Sequence, residues 1–342
     1  MLILFNRLVV LAALLLLSSA SPAQLENVIG AHNIAHLQPV YTIDFAGLDA
    51  DFVTGWFAMD ASGDTLLVTT QDNTVLIFRH GDVIDTFPLP AQTTLIDASL
   101  TDTQAVIAGD NGTLIVRDLE TQETTVRDTY PTIRALWLEG DTIWTEHDTI
   151  TTEDGTAIAP AVVAHQAEES TVYPYAPAAD AEALVRIGRI MPPYVVTASP
   201  EGAVKLWNLQ ADDVIAQAVV DNAPAVFGQI NSAATHLIWR DPMSAALYLL
   251  DFTAEKNLQV VALNGNYVQY FLLSAAADLG FAVHVEDDPV LVAWNTETGR
   301  RYDLGDYRAC SRLPDMARMS PDGTTLVIGC DLGLEVWRIV ED

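Results

Sequence analysis

Lysine is almost missing from this chain. Lys205 and Lys256 are the only two, and all basic residues together number 16 against 46 acidic ones, for a net charge of −30. So acidic a surface repels phosphate backbones, which excludes nucleic acid as a partner and disfavours anionic membranes. It suits a soluble protein outside the cell, or a partner that presents a basic face. Beyond the N-terminus no stretch is apolar for long enough to span a bilayer. No segment keeps a helical period, which argues against helical solenoids. No Gly-x-Ser-x-Gly elbow occurs, and seven His scattered over turns form no visible triad. There are two cysteines, Cys310 and Cys330; in an exported protein such a pair can form a disulfide, and otherwise they are two buried thiols.

The first residues have a different character. A single Arg7 precedes an apolar run from Leu8 to Leu17, and small residues follow in "SSASPAQ". This is the pattern of a secretory signal peptide, expected over residues 1–23 with cleavage after Ala20 or Ala23. An uncleaved anchor is the other reading. No Cys lies near the cleavage region, which speaks against a lipoprotein. The expected location is secreted, periplasmic or on the outside of the envelope.

The remaining chain repeats itself. The string "GAVKLWNLQ" at 202–210 has degenerate copies, and Trp207 serves as the anchor for aligning them. The equivalents are Phe78 in "DNTVLIFRHG", Arg117 in "NGTLIVRDLETQE", Leu250 in "AALYLLDFTAEK", Trp294 in "DPVLVAWNTETGR" and Trp337 in "LGLEVWRIV". The last three steps, 207 to 250, 250 to 294 and 294 to 337, are 43, 44 and 43 residues. The gap from 117 to 207 holds two periods, with a weak copy in "DTITTEDG" that puts Glu153 at the anchor. Each copy contains short runs rich in Val, Ile, Thr and aromatics, separated by Gly, Pro, Asp and Asn clusters. Such runs are strands in antiparallel hairpins. Four strands in each of seven repeats predict an all-β, seven-bladed propeller of four-stranded antiparallel blades. It would fill residues 38–342 as one domain, after a lead segment at 24–37.

These copies resemble the Trp-Asp (WD) repeat, with the best matches in "SPEGAVKLWNL", "SPDGTTLVIGCDLGLEVWRI" and "DNGTLIVRDLET". In that family an acidic or amide residue precedes the anchor strand; here Asp72, Asn111, Glu201, Asp288 and Asp331 take that place. The family's Gly-His pair is absent from every copy, and Trp stands at three of the seven anchors. The hydrogen-bonded tetrads that need that His therefore cannot form as in the family, and packing between blades must hold the ring. Both faces of a blade press on neighbours, so an anchor strand needs apolar groups on both sides. Val204 and Leu206 point one way and Trp207 the other. The chain stops after the seventh anchor strand, while a spare β-rich run, "QPVYTIDF" at 38–45, precedes the first blade. An open blade edge invites aggregation, so this N-terminal strand is expected to close the last blade, as the resemblance also implies.

Candidate sites are few. "HVEDD" (His284, Glu286, Asp287, Asp288) reads as a strand end and turn, and "HNIAH" (His32, His36) lacks the helix and the Glu of a zinc peptidase motif. No metal or cofactor is expected. "AWNTETGRRY" faintly resembles the tryptophan-docking repeat of quinoprotein dehydrogenases but occurs once, and "SPDGTTL" lacks the aromatic of a sialidase Asp-box. Segment 164–182 departs most from the repeat and is expected to be a long loop joining blades three and four. Its Tyr173 and Tyr175, in a Pro-stiffened frame beside Glu168 and Glu169, are the candidate partner-binding residues. The expected function is a non-catalytic, monomeric protein-interaction scaffold that takes a protein partner. The alternative is an enzyme or small-ligand binder, quinoprotein- or glycosidase-like, that uses acidic groups at the channel mouth.

Overall fold

The structure is a computed structural model of the 342-residue chain. The residues it describes are 27–48, 57–91, 93–151, 157–158, 161–166, 169–174, 185–186, 193–199, 203–219, 228–231, 234–240, 247–253, 256–261, 267–285, 289–305, 316–330 and 332–340.

The chain enters through β1 (Leu37–Asp44) and then builds blades in order. Blade one is β2 (Ala58–Met59), β3 (Thr65–Thr69), β4 (Thr74–Arg79) and β5 (Asp82–Pro88); blade two is β6 (Leu95–Leu100), β7 (Gln104–Gly109), β8 (Thr113–Asp118) and β9 (Thr124–Asp128). Blade three starts with β10 (Ile133–Glu139) and β11 (Thr142–His147). A small hairpin, β12 (Ile150–Thr151) and β13 (Ala157–Ile158), intervenes before β14 (Ala161–Gln166) and β15 (Glu169–Pro174) complete the blade. Blade four is β16 (Val185–Arg186), β17 (Tyr194–Ala198), β18 (Ala203–Asn208) and β19 (Asp213–Val219). Blade five is β20 (Gly228–Ile230), β21 (His236–Arg240), β22 (Leu247–Asp251) and β23 (Lys256–Val261). Blade six is β24 (Tyr267–Leu273), β25 (Leu279–Val285), β26 (Pro289–Asn295) and β27 (Arg301–Gly305). Blade seven is β28 (Met316–Met319), β29 (Thr325–Cys330) and β30 (Gly333–Ile339), with β1 as its outer strand. The protein is thus an all-β, seven-bladed propeller of four-stranded antiparallel sheets.

Burial follows position within the blade. The third strand of blade one, "TVLIFR", is buried at its four central residues because neighbouring blades cover both faces. Outer strands are half solvent-facing, and β19 alternates exposed with half-buried residues. One apolar cluster fills each junction between neighbouring blades. Phe87 and Ile77 of blade one meet Leu100 and Ile107 of blade two, and so on round to Val327 and Val336 of blade seven against Leu66 and Phe78 of blade one. Seven such junctions replace a single central core. The anchor faces the preceding blade: Phe78 packs toward blade seven, Leu250 toward blade four, Trp294 toward blade five and Trp337 toward blade six.

Closure occurs where the sequence predicts it. β1 pairs antiparallel with β30, from Leu37 opposite Ile339 to Asp44 opposite Gly333. The lead segment also takes part, which the sequence reading missed. Ile29 is fully buried among Leu279, Phe281 and Leu326, and its N–H donates to the Gly323 carbonyl in blade seven. The next N–H but one, from Ala31, donates to Asp278 in blade six. The chain before β1 therefore bridges blades six and seven.

Blade three corrects the repeat alignment. Its third strand is β14, and its anchor is His165, opposite Ile143 as Trp207 is opposite Val195. Glu153, the expected anchor, lies outside the described residues. The inserted hairpin lengthens the step from 117 to 165 to 48 residues and leaves 42 to Trp207. A polar anchor and an insertion together hid the copy. The expected loop at 164–182 is also revised: 164–166 and 169–174 belong to β14 and β15.

Candidate functional site

Among the described residues, the central channel and a crevice beside β15 combine polar groups with space. The channel is a cavity of about 840 Å³ walled by the inner strands. Three of its described polar side chains, Asp97, Ser99 and Asn231, join neighbouring blades. Asp97 of β6 accepts hydrogen bonds from the Leu136 N–H of β10 at 2.9 Å and from the Ala98 N–H at 2.9 Å. Ser99 Oγ accepts the Leu138 N–H at 3.0 Å. Side chains of blade two thus satisfy backbone donors on the channel-facing edge of blade three. Asn231 donates to the Ala275 carbonyl at 3.0 Å and accepts the N–H groups of Thr235 and His236, which ties blade five to blade six. Ser320 caps its own turn through Asp322 and the Thr325 N–H. The acidic groups that the alternative reading places at the channel mouth stand beside cations. The described lining holds the carboxylates Asp97 and Glu139 together with Arg134, which is ion-paired to Asp148, and Arg318, stacked over Phe57.

The anchor side chains hold strands and blades together in different ways. The Trp207 indole N–H donates to Thr197 Oγ1 at 2.8 Å, which ties the third strand of blade four to its second. In blade two the anchor is Arg117, and its guanidinium takes Asp85 of blade one by Nε–Oδ2 at 2.8 Å and Nη2–Oδ1 at 2.9 Å. Hydrogen bonding to Asp85 raises the Arg117 pKa further, and the Phe87 ring lies 4.9 Å from the guanidinium carbon.

Blade three uses a chain of hydrogen bonds. His147 Nδ1 faces the Pro131 carbonyl at 3.1 Å, so that nitrogen must carry the proton and Nε2 must accept. The Thr145 hydroxyl therefore donates to His147 Nε2 at 2.8 Å. It accepts from His165 Nε2 at 2.9 Å, which leaves His165 Nδ1 to accept the Ser170 hydroxyl at 2.8 Å. Each group in this chain has one role, and both imidazoles are neutral. Burial pushes the His165 pKa down to about 4, with the neighbouring His147 and Arg127 adding to the effect. Burial also lowers that of His147, against the opposing pull of the Pro131 carbonyl and Asp148.

The crevice lies on the blade-four side of β15. It holds about 70 Å³ and is lined by Trp144, Gln166, Glu169, Thr171, Tyr173 and, from blade four, Gln210. Glu169 is exposed at the start of β15. Tyr173 is half-buried, its ring 5.7 Å from that of Trp144. Gln166 Nε2 donates to Thr142 Oγ1 at 2.9 Å, which leaves its carbonyl oxygen as an acceptor. Sequence reasoning found Glu169 and Tyr173 but not Gln166 or Gln210, which stand beside them only after β14 and the blade-four turn are folded. Glu168 and Tyr175 lie outside the described residues, as do Cys310, Glu286, Asp287 and Asp288. Cys330 ends β29, and His284 lies in β25. His36 closes a three-residue 3-10 turn rather than a helix that would align it with His32. Among the described residues no group of three or more His, Cys, Asp or Glu side chains could hold a metal ion. Nor is any helix there long and apolar enough to cross a membrane.

No protein-family model and no curated sequence matches the chain. Solved structures do match its shape. The chain is similar to the β-propeller domain of Cps50 (Swd1) from Myceliophteria thermophila, with a TM-score of 0.59 and 12% identity over 89% of this chain and 100% of that one. It is also similar to a chain in the crystal structure of a Mitotic Checkpoint Complex, with a TM-score of 0.61 and 14% identity over 89% of this chain and 92% of that one. At such identities the likeness establishes the propeller fold.

Proposed function

We propose that this protein is an exported, non-catalytic propeller of the WD-repeat kind that captures a protein partner presenting a basic face. The observation that carries the reading is the employment of four polar side chains of the channel lining. Asp97, Ser99, Asn231 and Ser320 are spent on backbone donors and turns. An active site gathers polar groups toward a reacting atom, whereas these turn back into the ring. The net charge of −30 supports the choice of partner, since an acidic body speeds encounters with a basic one. The solved neighbours add support of a general kind: one is part of a Mitotic Checkpoint Complex.

The test is capture of partners from the envelope fraction and medium of the producing cell, at low and high salt. Deletion of 164–182 is unsuitable as a control because it would remove β15. Tyr173→Phe keeps the ring on Trp144 and removes the hydroxyl; Tyr175→Ala and a Glu168→Gln, Glu169→Gln pair complete the set. Specific capture that weakens with salt and with these changes is the expected result. Turnover of a small substrate by the pure chain, with no protein captured, would overturn the reading.

A further inference from the structure

Propellers leave an open edge on the outer strand of every blade, and five blades here disrupt it. An extra residue bulges from the outer strand at Val40 in β1, Ile84 in β5, Ile215 in β19, Val260 in β23 and Leu304 in β27. Bulges of this kind twist an edge away from strand addition. The outer strands of blades two and three pair without any shift. In blade two, β9 ends in the charged pair Arg127 and Asp128. In blade three, β15 runs in regular register from Glu169 opposite Gln166 to Pro174 opposite Ala161, and its four central residues, Ser170 to Tyr173, carry no charge and no proline. Beside this regular edge, whose centre is uncharged, lies the crevice between blades three and four.

We infer that the β15 edge takes an extended segment of a partner protein as an added strand, with a lysine of that segment entering the crevice. This deepens the scaffold reading and rests on it. Backbone hydrogen bonds to β15 would supply affinity, and the crevice would supply choice. Side chains directly opposite on paired strands lie about 5 Å apart, so a residue of the added strand beside Thr171 reaches the crevice. The walls there offer acceptors: the Glu169 carboxylate, the Gln166 carbonyl left over from its bond to Thr142, the Thr171 hydroxyl and the Gln210 amide. A lysine ammonium brings three donors and one positive charge, and it matches this set. A second copy of the chain is a poor occupant, because each copy carries −30.

The test uses the full chain and blocked peptides of alternating Thr and Val with one central Lys, followed by fluorescence anisotropy at low salt. Saturable binding is expected. It should weaken about tenfold when the peptide Lys becomes Glu, and by a similar factor in the Glu169→Gln protein. It should vanish when alternate peptide amides are N-methylated, which removes the donors of a strand. Thr171→Lys, at an exposed position, places a like charge at the crevice and should weaken binding as well. Near-ultraviolet circular dichroism confirms that both variants fold. No binding by the Lys peptide, or binding indifferent to N-methylation and to both variants, overturns the inference. Sedimentation showing that β15 is covered by a second copy overturns it too. If natural partners are still captured at full strength by Thr171→Lys, the edge inference fails while the scaffold reading stands.

Discussion

Trp294 stands directly across the ladder from Gly280, and a Cβ placed on Gly280 would come within 2.5 Å of Cζ2 of the indole. The glycine is the space that the anchor of blade six occupies. Gly280→Ala must displace the buried indole, which shares a packed cluster with Phe271 of its own blade and Leu249 of blade five. Overpacking of this kind costs about 1–3 kcal/mol. Urea unfolding should show that loss in Gly280→Ala, and a double variant with Trp294→Leu should recover part of it. An alanine variant as stable as the parent would mean that the junction yields more easily than its packing implies.

Arg117 and Asp85 join blades one and two by two parallel hydrogen bonds, and both side chains are largely buried. Removing one partner strands the other, so Asp85→Ala is expected to cost about 3–5 kcal/mol. Replacing both by apolar residues of similar size should cost much less, because no charge is then left buried. Thermal unfolding of the single and double variants checks this; equal losses in both would contradict it.

The ring was legible in the sequence because its signal is repeated. Trp207, Leu250, Trp294 and Trp337 sit at near-constant spacing, and the strand–turn grammar round each is local chemistry. The closure strand was legible because a missing outer strand leaves an edge that something must cover. Blade three was misread, since its anchor is His165, whose fitness depends on Thr145 and Ser170, twenty residues before and five after. Nothing local marks a histidine as the equivalent of a tryptophan. Arg117 was aligned correctly, yet its partner Asp85 is 32 residues away and belongs to another blade. The crevice at β15 was half visible for the same reason. Glu169 and Tyr173 are close in sequence, while Gln210 arrives from blade four only through the fold.

The lead segment offers a test of closure that leaves β1 intact. Ile29 is fully buried between blades six and seven. Ile29→Ala should cost about 2–5 kcal/mol, as for other large-to-small core changes. Deletion of 24–46 removes the closing strand as well, and the exposed edge of β30 should then cause aggregation. Sedimentation and melting temperatures distinguish the two. A deletion variant that stays monomeric with the parent's melting temperature would show that β1 is dispensable.

Cys310 and Cys330 are proposed to form a disulfide, which the proposed export would permit. Cys330 ends β29, whose ladder with β28 sets Met316 opposite Gly329. A bridge closing about twenty residues stabilises by about 3 kcal/mol through the unfolded state. Non-reducing mass spectrometry should find the chain two hydrogens lighter than its reduced form. Two alkylatable thiols on the native protein, recovered from an oxidising medium, would refute the bridge.

The last expectation concerns acid. His165 is held neutral by burial, with its pKa at about 4 against an ordinary value of 6.5. The unfolded chain therefore binds this proton more readily than the folded one. The neutral imidazole's contribution is complete above about pH 6.5 and is lost as pH falls through about 4; a shift of this size corresponds to about 3 kcal/mol. The loss comes from placing charge in a buried site rather than from broken hydrogen bonds, because Ser170 can rotate to accept from a protonated His165 Nδ1. His147, also lowered by burial, adds to the trend in the same direction. The 46 acidic residues titrate nearby in pH, and their protonation relieves repulsion, so the raw curve mixes opposing effects. His165→Gln separates them. Its amide can donate to Thr145 and accept from Ser170 but takes up no proton, while the acidic residues are unchanged. Urea unfolding between pH 4 and 7 should therefore show a difference between parent and variant that shifts against the parent as pH falls. A difference that stays constant across this window would mean that His165 is not held neutral by the fold.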